Sequence, residues 1–188
     1  MLEDAPVLAF DHYDPYIEWP QDMNQWMRDG ADPKHIRVPK LKEDLLSLIN
    51  GVQITDPVTG NVIIPAKYII LEEPSGRERQ EIGEYIDLVV YIDVPQDVCV
   101  VRMVERLMNM GVWKSQGTFE GETKENLARQ LNAIALWINQ YYRARAMYIG
   151  VSQIVQEKAD IVVNGMKTVN EITTDILNAL KVKWDIWR

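Results

Sequence analysis

The chain has 188 residues, enough for one domain with a substantial core, and its 47% apolar and 26% charged residues match a globular protein. A net charge of −8 argues against broad binding to a nucleic-acid backbone, which needs a basic face, while leaving room for a small phosphorylated ligand held by a few arginines. No apolar run approaches the roughly 20 residues of a membrane span, MLEDAPVL lacks the features of a secretory signal, and the single cysteine, Cys99, allows no internal disulfide, so a cytoplasmic location is expected.

Val7 to Phe10 read as a short buried strand that stops at Asp11, followed by His12, Tyr13 and Asp14. Pro15, Pro20, Gly30, Pro33 and Pro39 break the next stretch and leave room for one helix near Gln21 to Asp29, where Trp19, Met23 and Trp26 recur at helical spacing as a packing face. Lys40 to Asn50 predict an amphipathic helix with Leu41, Leu45, Leu48 and Ile49 on its apolar side and Gly51 to end it. Val52 to Pro65 alternates around Asp56-Pro57-Val58-Thr59-Gly60, which predicts a β-hairpin.

The stretch Tyr68 to Arg77, YIILEEPSGR, opens on an apolar run expected to form a strand buried on both faces, and ends it on Glu72 and Glu73. Pro74 and Gly76 force a turn, and Ser75 with Glu78 reads as a capping box opening a helix. Two carboxylates between a strand end and a helix N-terminus lie where open α/β sheets bind ligands. A surface loop with ordinary acids fits the same residues.

A third buried strand, Leu88 to Ile92, ends at Asp93, and Pro95 and Asp97 suit the first turn of the next helix. Cys99 there reads as a buried structural thiol, and Arg102 and Arg106 project from one face. Gly111, Gly117 and Gly121 mark a mobile connection from about Asn109 to Glu122. A long helix is expected from about Thr123 to Tyr148, with Leu127, Leu131, Ile134, Ile138 and Tyr142 on one stripe. Arg145 falls on that stripe, and an inward arginine requires a partner, either an internal salt bridge or a ligand. Ala159 to Val163 predict the last strand. Thr168 and Glu171 cap a final helix with Val169, Ile172, Ile176 and Leu180 inward, and the tryptophans of KVKWDIWR could pack on the body or on a partner. The alternation predicts a single α/β domain with a mainly parallel sheet between helical layers.

The order of these pieces resembles the uridine kinase and phosphoribulokinase family of P-loop kinases over most of the chain. The residues that carry it are Asp11-His12-Tyr13-Asp14, the strand ending in Glu72-Glu73, and Val101-Arg102-Met103-Val104-Glu105-Arg106. Arg145-Ala146-Met147-Tyr148 and Glu157-Lys158-Ala159-Asp160-Ile161-Val162-Val163 complete the set. The resemblance implies a three-layer P-loop NTPase-like fold and ATP-dependent phosphoryl transfer, with Mg2+, to a hydroxyl of a small nucleoside-like molecule. It implies that Asp11 takes the hydroxyl proton, that Glu73, or else Glu72, helps hold magnesium, and that Arg102 and Arg106 stabilise phosphoryl charge beside a lid-like connection at about 102–122. Arg145, Arg77 and Arg79 would contact phosphate or substrate, and His12 and Tyr13 would line the acceptor pocket. Internal ion pairs would also explain Arg79 and Arg102, and packing would explain His12 and Tyr13.

The family's Gly-x-x-x-x-Gly-Lys-Ser/Thr loop, whose amides cradle the ATP phosphates, occurs nowhere in the sequence. Against the family, Met1-Leu2-Glu3-Asp4 resembles the tail of the first helix. The expectation is therefore a truncated chain or misplaced start, lacking a central strand of order 2-3-1-4-5, its loop and most of a helix. The segment from Trp19 to Pro39 and the Glu-Pro-x-Gly-Arg wording depart from uridine kinases. A non-catalytic binding or regulatory protein of the same fold is the alternative, and a nicotinamide riboside or nucleotide kinase a third. The expected partners are a nucleotide and a small-molecule substrate, without nucleic acid or membrane, and a homo-oligomer is left open.

Overall fold

Short strands and longer helices alternate along the chain, which makes it an α/β protein. The structure is a computed structural model that describes residues 5–109 and 123–184. The glycine-rich connection with Gly111, Gly117 and Gly121, most of the lid-like segment, the residues before Ala5 and residues 185–188 lie outside the described residues. The chain divides into two compact units, Met1–Val89 with Gly150–Asp160, and Val90–Ile149 with Ile161–Arg188.

In the first unit, strand β1 (Val7–Ala9) runs into a 3₁₀ turn, Phe10–Tyr16. Helices α1 (Met23–Arg28) and α2 (Pro39–Ile49) follow, then the antiparallel hairpin β2 (Ile54–Thr55) and β3 (Val62–Ile63), then β4 (Ile70–Glu72). Strands β1 and β4 pair in parallel, in the register Val7↔Ile70, Leu8↔Leu71 and Ala9↔Glu72. Leu8, Tyr13, Val38, Leu41, Leu45, Leu48, Ile54 and Ile82 form one buried cluster. Each such side chain contributes about 1.5–3 kcal/mol on burial. Pro39 at the first turn of α2 has its φ pre-set for a helix. Gly51, at φ +77°, follows the C-cap Asn50.

Several expectations change here. Ile49, placed on the apolar face of α2, is 49% exposed, because the buried row runs Leu41, Leu45, Leu48. Trp26 is buried, but Trp19 and Met23 are 46% and 38% exposed, so the tryptophan-bearing face packs on one side only. The YIIL strand is not buried on both faces: β4 has three residues, and Ile70 is 41% exposed. Ser75 and Glu78 form no capping box. The turn after Ser75 is a 3₁₀ segment, Gly76–Glu78, without a side-chain cap, and the Glu78 carboxylate instead takes the Lys158 ammonium at 2.8 Å.

The second unit holds β5 (Val90–Asp93) and β6 (Ile161–Asn164), paired in parallel from Val90↔Ile161 to Asp93↔Asn164. It also holds α3 (Gln96–Asn109), α5 (Val169–Trp184) and the part of α4 (Lys124–Lys158) that precedes Gly150. Ile161, Val163 and Leu180 are its buried apolar residues among the described ones, and alternate residues of β6 are exposed. The capping box at Thr168 is present: the Thr168 amide and hydroxyl donate to Glu171 at 2.9 and 2.6 Å, and the Glu171 amide donates back at 3.4 Å. Val169, expected inward, is 78% exposed because it directly follows that cap.

Helix α4 runs ten residues past its expected end, since Gly150 is accommodated without a break. Of its expected apolar stripe, Leu127 and Ile134 are half-buried, while Leu131, Ile138 and Tyr142 are turned outward at 67%, 47% and 82% exposure. The half-buried row is Leu127, Gln130, Ile134, Trp137, Tyr141 and Ala144, and the Trp137 and Tyr141 rings stack at 5.4 Å. Arg145 is therefore exposed and meets no desolvation cost, contrary to the inward placement. Cys99 is exposed on α3 rather than buried, since the apolar run around it includes the exposed Val101. Among the described residues the strands form three two-stranded sheets, two parallel and one antiparallel, in place of one mainly parallel sheet.

Candidate functional site

The pairing of β1 with β4 decides where the acids of the first unit fall. Both strands run the same way and Ala9 sits opposite Glu72, so the turn after β1 and the turn after β4 leave the same end of the pair. Asp11, His12 and Tyr13 ride on the first turn, and Glu73, Arg77 and Arg79 on the second. Phe10 joins them: the Arg79 guanidinium lies over its ring, 4.6 Å from the centroid.

Each expected residue has a definite surrounding. Asp11 and Glu72 are exposed. The Glu73 side chain is 2% exposed. Its Oε1 accepts from Arg79 Nε at 3.1 Å, Arg79 Nη2 at 2.9 Å and the Ser75 amide at 3.0 Å. Its Oε2 is buried without a hydrogen-bond partner among the described residues. Arg79, 1% exposed, also donates from Nη1 to the Ile36 carbonyl at 3.3 Å, so it is a closed internal cation and not a surface anchor. Arg77 is equally committed, with Nε on the Ile86 carbonyl at 2.9 Å and Nη2 on Asp160 at 2.7 Å.

Tyr13 is fully buried and donates to Asp44 at 3.1 Å, whose other oxygen takes Lys40 Nζ at 2.8 Å. Burial first, and then the Asp44 charge and hydrogen bond, push the Tyr13 hydroxyl well above its ordinary pKa. The hydrogen bond to Asp44 is the main reason that Lys40 is raised too, so both stay protonated. Tyr13 is thus a core strut. His12 is half-buried, with Nδ1 2.7 Å from Asp56 Oδ2.

A shallow hollow of about 410 Å³ opens beside the same turn, between Tyr16, Glu18, Lys40 and Glu43. Its aromatic wall and mixed charges suit a small polar molecule.

The remaining expected residues belong to the second unit. Arg102 is exposed and donates to the Gly165 carbonyl at 3.3 Å, and Arg106 and Arg145 are exposed. The structure thus gathers Asp11, His12, Tyr13, Glu72, Glu73, Arg77 and Arg79 into one unit. Asp56, Asp44 and Lys40 were not anticipated. The turn holding Asp56 was readable, but a partner 44 residues away leaves no mark in local spacing.

Among the described residues no group of three or more His, Cys, Asp or Glu side chains is arranged to hold a metal ion, and no helix is long and apolar enough to cross a membrane. No family model matches the chain, and no curated protein matches it.

Proposed function

We propose that the chain forms the acceptor side of a cytoplasmic, ATP-dependent phosphotransferase of the P-loop NTPase class, acting on a hydroxyl of a small nucleoside-like molecule. The observation that supports this is the Ala9↔Glu72 register, which sends an exposed acid, Asp11, and a buried one, Glu73, out of the same end of a parallel strand pair. Asp11 is the proton acceptor that the family resemblance names. Magnesium keeps most of its waters and needs only one or two carboxylates beside the substrate phosphates. Two carboxylates lie at that strand end, Glu72 exposed and Glu73 buried with Oε2 unpartnered among the described residues, and the exposed one meets the demand of a hydrated ion more readily. The sequence contains no Gly-x-x-x-x-Gly-Lys-Ser/Thr segment, so these residues do not supply the cradle for the triphosphate.

The second reading is a binding or regulatory protein without phosphoryl transfer. It is favoured by the grip of Arg79 on Glu73, which spends one of the two carboxylate oxygens inside the protein. Titration calorimetry with magnesium and ATP, on this chain and on the product of its whole reading frame, separates the two. A phosphoryl-transfer assay against nucleosides and related alcohols completes the test. Magnesium-dependent ATP binding with transfer supports the phosphotransferase. Absence of both from the whole product overturns it in favour of the binding protein.

A further inference from the structure

The turn that carries Asp11 holds a second group able to take a proton. His12 is 34% exposed, and its Nδ1 lies 2.7 Å from Oδ2 of Asp56, in the turn of the β2–β3 hairpin. The Asp56 side chain is 7% exposed, and its Oδ1 accepts the amides of Val58 at 3.0 Å and Thr59 at 2.7 Å. Burial alone would push this carboxyl up. Hydrogen bonds from Thr59, His12 and Val58 outweigh burial and leave it lowered to about 2. Asp56 is therefore ionised at any working pH, and an ionised carboxylate only accepts. The hydrogen between the two residues must sit on Nδ1. In the neutral imidazole this places the lone pair on Nε2, for which the described residues provide no hydrogen-bond partner. A carboxylate that fixes the tautomer of a part-exposed histidine is how proteins orient an imidazole base.

We propose that Nε2 of His12 is the proton acceptor of this site at neutral pH, with Asp56 as its positioning residue. This rests on the phosphotransferase reading for the reaction, though not for the tautomer. In that reaction the acceptor hydroxyl gives its proton to Nε2, its oxygen uses the freed pair to bond the γ-phosphorus of ATP, and the bond from that phosphorus to the β,γ-bridging oxygen breaks, with its electron pair leaving on ADP. The imidazolium formed is stabilised by the Asp56 carboxylate. Other charges near His12 are Asp11 and Asp14 on its own turn, and Asp44 and Lys40 from α2, which packs on that turn and whose charges are paired with each other. The hairpin contributes Asp56, and β1 contributes no titratable group. Asp11 then acts as a neighbouring charge that favours the imidazolium, and need not take the proton itself.

Two variants separate a base from a structural tie. His12→Asn keeps a donor in the place of Nδ1, so the tie to Asp56 survives while Nε2 is lost. Asp56→Asn keeps the acceptor for the Val58 and Thr59 amides, but offers an amide hydrogen to His12 and drives it to the Nε2–H tautomer. Nitrogen-15 NMR of the imidazole, without substrate, should show Nδ1–H in the native protein and Nε2–H in Asp56→Asn. An Nε2–H native tautomer overturns the proposal. In phosphoryl transfer, the acid-side fall of kcat/KM should be lost in His12→Asn. His12→Asn and Asp56→Asn should each lower kcat/KM at least 100-fold with their fold intact. An acid limb that persists in an unimpaired His12→Asn returns the proton to Asp11 and overturns the proposal. If the native protein shows the expected tautomer but transfers no phosphoryl group to any acceptor, the phosphotransferase reading fails. The base role fails with it, and the Asp56-held tautomer alone stands.

Discussion

Arg79 and Glu73 form an ion pair closed off from solvent, Nη2 to Oε1 at 2.9 Å, with side chains 1% and 2% exposed. It links the end of β4 to the turn after it, and through the Ile36 carbonyl to the segment before α2. Removing one partner leaves a buried charge uncompensated, so Arg79→Met should cost about 3–5 kcal/mol in urea unfolding. Adding Glu73→Gln removes the stranded charge and should recover part of that loss. A double variant no more stable than Arg79→Met would show that the pair's cost lies in packing on Phe10 instead.

Asp56 ties acid stability to the same region. Its folded pKa, about 2, lies below the ordinary value of 3.8. The stabilisation is therefore fully present above about pH 4 and is lost as pH falls toward 2. The shift corresponds to about 2 kcal/mol. Asp56→Asn should flatten this part of the stability profile, measured by urea midpoints between pH 2 and pH 5. An unchanged acid slope would mean that other carboxylates carry it.

Gly76 is a third place where the turn after β4 is constrained. Its φ is +51°, a region that L side chains rarely adopt, and an added Cβ would come within 3.3 Å of Val155 Cγ1 and 3.6 Å of Val89 Cγ1. Strain of this kind costs about 1–3 kcal/mol. Gly76→Ala should lower Tm and the urea midpoint accordingly. Equal stability would place the turn at negative φ.

What could be read ahead of the structure was local. The hairpin around Asp56, the α2 row Leu41, Leu45 and Leu48, and the Thr168–Glu171 cap each depend on residues within a few positions of one another. What could not be read was which face the fold covers. The α4 stripe through Leu127, Leu131, Ile134, Ile138 and Tyr142 is periodic, yet packing keeps only Leu127 and Ile134 of it and otherwise covers Gln130, Trp137 and Tyr141, each one position before the expected residue. Periodicity gives the spacing of a face without its partner. The site divides the same way. Acids at the ends of β1 and β4 were legible from chain order, while the grip of Arg79 on Glu73 and of Asp56 on His12 arises only when turns distant in sequence meet.

Cys99 turns the same distinction into a measurement. Its surroundings in the sequence, Val98, Val100 and Val101, suggest a covered thiol, whereas on α3 it is exposed, with only a weak contact from Sγ to the Val94 carbonyl at 3.8 Å. As the single cysteine of the chain, it gives an unambiguous thiol count. An exposed thiol reacts through its thiolate without waiting for the fold to open. Native protein should therefore consume one equivalent of Ellman's reagent at pH 8, within a few-fold of the rate in 6 M guanidinium. Protection by 100-fold or more would mean that this face of α3 is covered in solution.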